Sequence, residues 1–128
     1  MSVQAAPILL LALLAITMLQ SGYDKIKDWK GNVSWLKEHF KGTFFEKQVP
    51  LALFTILVLE IFSGVFSISG IIELFSNSTT TVGYYGAILS CITLLCLLFG
   101  QRIAKDYDGA RTIVIYFIPA IAAVYLLS

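Results

Sequence analysis

The chain has 128 residues, 58% of them apolar and 13% charged, with a formal net charge of +1. A soluble domain carries about 25% charged residues, and the mean hydropathy of +0.84 points away from one. One-domain length with this composition excludes a soluble globule and a disordered chain, and the lack of a basic face excludes a nucleic-acid binder.

Charge placement says more than charge number. Ten charged residues lie between Asp24 and Lys47 and five between Arg102 and Arg111; only Glu60 and Glu73 lie elsewhere. The uncharged stretches approach the roughly 20 residues that cross a bilayer. The first, Met1–Tyr23, has its apolar part at about 5–22. A secretory signal peptide needs a basic leading region and a small-x-small cleavage site. This stretch has neither, so a retained first membrane helix is expected.

The segment 24–47 is too long for a tight connection. Ile26, Trp29, Val33, Leu36 and Phe40 recur at spacings of three and four, one face of a helix, while Lys27, Lys30, Lys37 and Lys41 occupy other phases. Gly31-Asn32 offers a break and a cap, and Gly42 a stop. The pattern predicts one or two short helices in the interface, anchored by Trp29, Trp35 and Phe40, with lysines towards lipid headgroups. Such a segment is either a passive amphipathic connector or a regulatory lipid-binding element.

Further spans are expected at about 49–75, 82–101 and 110–127, with Pro119 kinking the last. The loop Ser76–Thr81 is polar and uncharged. Asn77-Ser78-Thr79 and Asn32-Val33-Ser34 match glycosylation sequons, for which an ordinary turn is the simpler reading. Four spans put all nine Lys and Arg on one side, which the positive-inside rule makes cytoplasmic. Both termini are then extracytoplasmic, and Tyr84, Tyr85 and Tyr125 fall at the outer interface. The expected architecture is an all-α, single-domain four-helix integral membrane bundle over 1–128, with an amphipathic interfacial segment between helices 1 and 2. A bacterial inner membrane is the expected location.

Few residues can carry chemistry. His39 is the single histidine, so bis-histidine haem ligation within the chain is impossible and a metal cluster is not expected. Neither a glycine-rich phosphate loop nor a nucleophile-and-base motif is present, so no self-contained catalytic site is expected. Cys91 and Cys96 stand about 140° apart on a helix, too far round for a disulfide, and are expected as buried apolar side chains. Glu60 is the outstanding residue. It lies roughly 15 Å beyond Pro50 along its helix, where an ionised carboxylate costs several kcal/mol unless protonated, paired or wetted. Its helical face continues through Ser63, Gly64 and Ser67, a small polar stripe suited to close packing. Glu60 is therefore expected to face the bundle or a partner protein. Lys25, Arg102 and Arg111 are candidate charge partners, and the Tyr116 hydroxyl a candidate neighbour. Proton carriage, a hydrogen bond to a quinone, an ion pair and a structural hydrogen bond all remain open for it. Glu73, nearly opposite in phase, is expected solvated among headgroups. Small faces are expected on helix 1 (Ala12, Ala15, Gly22), helix 3 (Gly86, Ser90, Thr93, Gly100) and helix 4 (Thr112, Tyr116, Ala120, Ala123).

Two segments carry a family resemblance. Ser21-Gly22-Tyr23-Asp24-Lys25-Ile26 resembles the S-G-x-x-K-[LI] signature of DoxX-like membrane proteins. Glu60-Ile61-Phe62-Ser63-Gly64, followed by Ser69-Gly70, resembles that family's E-x-x-x-G and later glycine. Ser63 departs from the usual glycine, and the polar tail of many relatives does not follow the fourth span. The family takes its name from a membrane subunit of a thiosulfate:quinone oxidoreductase. The resemblance therefore implies a small accessory or quinone-proximal subunit of a larger membrane assembly, or a homo-oligomer, in contact with membrane lipids. It implies no cofactor bound by this chain alone, with quinone as the candidate ligand near Glu60 and Lys25. The alternative is a stand-alone membrane redox enzyme or proton-coupled carrier using Glu60.

The topology is testable. Cysteines introduced at Ser2 and Ser128 are expected to react with an impermeant thiol reagent in intact cells lacking an outer-membrane barrier; labelling only after lysis would reverse the orientation.

Overall fold

A computed structural model describes residues 5–76 and 79–128. Five α-helices follow one another: α1 (Ala5–Lys27), α2 (Trp29–His39), α3 (Val49–Ser76), α4 (Thr81–Ile103) and α5 (Tyr107–Leu127), with a 3-10 turn, Glu46–Gln48, leading into α3. The helices α1, α3, α4 and α5 are long and apolar enough to cross a membrane. The protein is a multi-pass membrane protein, and its exposed Phe54, Phe62, Ile72, Ile115 and Ile118 form lipid-facing surface. The sequon at Asn77 falls partly outside the described residues.

Small residues bring the helices together. Gly70 and Gly83 face each other across α3 and α4, where a Cβ on Gly70 would overlap the Cα of Gly83. Gly86 sits against the Ser67 backbone in the same seam, with Ser63, Ser67, Ser90 and Thr93 fully buried along it. Their hydroxyls donate to carbonyls one turn back in their own helices, at 2.6–2.9 Å, which satisfies each donor within its own helix. Towards α1, Gly64 receives Leu19, and a Cβ on Gly22 would lie 2.8 Å from Ile61 Cδ1. Leu11, Leu14, Met18, Leu74, Leu94 and Leu127 fill the core between the helices. On the expected small faces, Thr112 and Tyr116 are exposed, whereas Ala120 and Ala123 are buried.

The observed ends differ from the expected ones for local reasons. The first helix runs on to Lys27 because Gly22, packed on Ile61, is no break and its successors are helix-compatible. The break comes at Asp28, which caps α2 by accepting the Gly31 N–H at 3.3 Å; Gly31-Asn32 lies inside α2. Gly42, at φ +84°, takes the left-handed conformation in the turn after α2. The fourth spanning helix starts at Tyr107, earlier than expected, because Asp106 caps it by accepting the Gly109 N–H at 2.9 Å. Pro119 lies inside that helix. Glu73 is not simply solvated: its Oε1 accepts the Val82 N–H at 3.0 Å and so satisfies a free donor in the first turn of α4.

The antiparallel register has a spatial consequence. Gly22 faces Ile61, Leu19 faces Gly64 and Leu11 faces Gly70, so α3 overhangs the end of α1 by about two turns. The wedge left under α1 is roofed by α2.

Enlarging the α3–α4 crossing is expected to separate two backbones. Gly70→Leu should cost about 1–3 kcal/mol, read as a lower midpoint in denaturing-detergent titration. Gly100→Ala, whose Cβ meets Phe40 Cζ at an ordinary 3.5 Å, should be nearly neutral.

Candidate functional site

The site grows from two helix faces. Ser21 and Lys25 are one turn apart on α1 and therefore share a face. Glu60 lies eleven residues into α3, level with the Gly22 contact. The glycine lets the two helices approach closely enough for Lys25, near the end of α1, to reach it.

Glu60 is 1% exposed, and the Lys25 side chain 17%. Lys25 Nζ lies 2.9 Å from Glu60 Oε1 and 3.2 Å from Oε2. Ser21 Oγ donates to Oε2 at 2.6 Å and accepts from Lys25 Nζ at 2.8 Å, closing a three-membered polar ring. Oε2 thus has both hydrogen bonds. Oε1 sits in ionic contact with Nζ, but the angle is too poor for a hydrogen bond, and among the described residues it has no other donor. The distance is what matters for charge neutralisation; the direction leaves one buried acceptor site unfilled.

The triad borders a large cleft. Ser21 and Lys25 line a space of about 830 Å3 in the wedge below α1. Leu53 and Ile56 of α3, Leu95 and Cys96 of α4, and Trp35 of α2 with Phe40 just after it make its largely apolar walls. Gln48 and Gln101 add amides at its rim. This volume lies within the range of small-molecule pockets.

Aromatic contacts hold the roof. Phe40 meets Phe45, which meets Phe99 of α4 edge-on at 6.2 Å between centroids. Trp35 stacks on His39 at 4.6 Å. His39 Nε2 in turn approaches Gln101 Oε1 at 3.3 Å and Asp106 Oδ2 at 3.5 Å. The single histidine is thus a fastener between α2 and the α4–α5 turn, a role no sequence pattern indicated.

The expected site residues separate into two sets. Ser63 and Ser67 continue the buried face of Glu60. Of the three candidate cations only Lys25 meets it. Arg102 instead lies over the Tyr107 ring, 5.1 Å from its centroid, and Arg111 pairs with Asp108. Both sit at the α4–α5 end: Arg102, in the last turn of α4, meets the first residue of α5, and Arg111 pairs one turn back along α5. Tyr116 is 40% exposed because its phase on α5 points outward. Of the interfacial anchors, Trp35 and Phe40 line the cleft, while Trp29 is half-buried at the start of α2. Cys91 is buried, but Cys96, 140° further round, is exposed and faces the cleft. Among the described residues no three His, Cys, Asp or Glu side chains cluster as metal ligands.

Comparison with protein-family models, curated proteins and solved structures returned no match.

The pair has a distinctive mutational signature. Removing one member of a buried ion pair strands the other charge, at about 3–5 kcal/mol. Lys25→Met is therefore expected to lower stability strongly, and Lys25→Met combined with Glu60→Leu to recover most of the loss. A double variant no more stable than Lys25→Met alone would show that the charges are uncoupled.

Proposed function

We propose that this chain is a small accessory, quinone-proximal subunit of a larger assembly in a bacterial inner membrane, of the DoxX-like type that its motifs resemble. One observation carries the reading. The two resembling segments, far apart in sequence, meet in space: Ser21 and Lys25 from one and Glu60 from the other form the buried polar ring beside the cleft. The motif residues thus have a common place, at the border of an apolar cavity.

The chemistry suits a neutral amphiphile. Lys25 and Glu60 cancel in charge, so the cleft offers no net charge from this pair to a charged headgroup. A quinone carbonyl is an acceptor, and the Lys25 ammonium and the Gln48 and Gln101 amides are donors along the lining. The apolar walls accommodate a ring and the start of a tail. The protein's part is to bind and orient; electron transfer belongs to the quinone and to a partner carrying a redox centre.

Trp35 on the cleft wall supplies a reporter. A short-chain benzoquinone added to the purified full chain in neutral nanodiscs is expected to quench tryptophan fluorescence saturably. Ala52→Phe, which fills the cleft from α3, is expected to weaken that quenching about tenfold. Linear quenching unchanged by Ala52→Phe would overturn the reading. Quinone turnover by the isolated chain would favour the stand-alone enzyme instead.

A further inference from the structure

We propose that the groove between α4 and α5 at the basic end binds the headgroup of an anionic phospholipid. The groove has a volume of about 380 Å3 and lies apart from the Glu60 cleft. Leu98 and Arg102, one turn apart, form its α4 wall; Tyr107, Ala110, Arg111 and Val114, on one face of α5, form the other. Two guanidinium groups thus stand at one end of a groove whose next turn inward is apolar.

The arginines are positioned for an external anion. Arg102 lies over the Tyr107 ring, a contact that uses the face of the guanidinium group rather than its N–H donors. Among the described residues Arg102 has no carboxylate partner. Arg111 is engaged by Asp108 through one nitrogen, and a guanidinium has five donors. The remaining local carboxylate, Asp106, is occupied by His39 and by the α5 cap. The groove lining therefore carries two guanidinium groups and no carboxylate, one of them free of carboxylate contact and the other shared with Asp108, and guanidinium forks match the oxygens of a phosphate. Leu98 and the exposed Val114 supply the surface along which an acyl chain would run, which a free phosphate would not use. Basic pockets between spanning helices select anionic headgroups by this combination.

The test is lipid retention by the purified full chain in neutral detergent, read by native mass spectrometry. The probes are phosphatidylglycerol, phosphatidylcholine as the neutral comparison, and inorganic phosphate as competitor. Phosphatidylglycerol is expected to stay bound where phosphatidylcholine does not. Arg102→Gln with Arg111→Gln should weaken its retention about tenfold or more, while Lys30→Gln with Lys37→Gln on α2 leaves it unchanged. Millimolar phosphate should not displace it. Equal loss in the lysine variant would mean diffuse attraction, and displacement by phosphate would mean a simple anion site; either overturns the proposal. Val114→Trp fills the groove from a lipid-facing position and keeps both arginines. It should also weaken retention, and an unchanged value would overturn the proposal even where the arginine variant does not fold.

Discussion

A carboxylate eleven residues into an apolar helix is tolerable only when something neutralises it, and here that is the Lys25 ammonium. The rest of the basic half of the molecule follows from this constraint. Lys25 reaches Glu60 only if α1 continues past Gly22 and packs closely on α3, which the glycine permits. The same register stops α1 short of the beginning of α3 and leaves a wedge. The amphipathic α2 then turns back beneath it, held by Phe40, Phe45 and His39 rather than by any fully buried side chain of its own.

The opposite half is built differently. The α3–α4 seam depends on shape: Gly70 on Gly83, Gly86 on Ser67, with each buried hydroxyl bonded within its own helix. Ser63 and Thr93 approach across the seam at 3.4 Å, the long end of a hydrogen bond. Close backbone approach in an apolar medium gains dispersion rather than hydrophobic energy. One molecule thus combines a polar fastening near its basic end with a dry, small-residue packing beyond it.

The four spans and the inward phase of Glu60 were legible in the sequence, because hydropathy runs and the cost of a buried charge are local properties. The identity of its cation was not. Lys25, Arg102 and Arg111 were equivalent until Gly22, Leu19 and Gly64 set the register, and that is a property of two helices together. Phase errors account for Tyr116 and Cys96, whose outward and cleft-facing directions depend on which neighbour each helix chooses. Asp28 and Asn32 both suit a helix cap, and the competition fell to Asp28. Glu73 found its donor nine residues away across a turn, and His39 found partners 62 and 67 residues on; single-helix patterns contain no such information.

The difference between the two halves bears on how such a sequence drifts. Along the α3–α4 seam the requirement is size, so glycine, alanine, serine and threonine are exchangeable wherever the backbones leave room. The Lys25–Glu60 pair tolerates no single step: either change alone strands a charge, and an apolar replacement must arrive at both positions. In an alignment of homologues, position 25 and position 60 should therefore covary as a unit, while the seam wanders in chemistry and holds its volume.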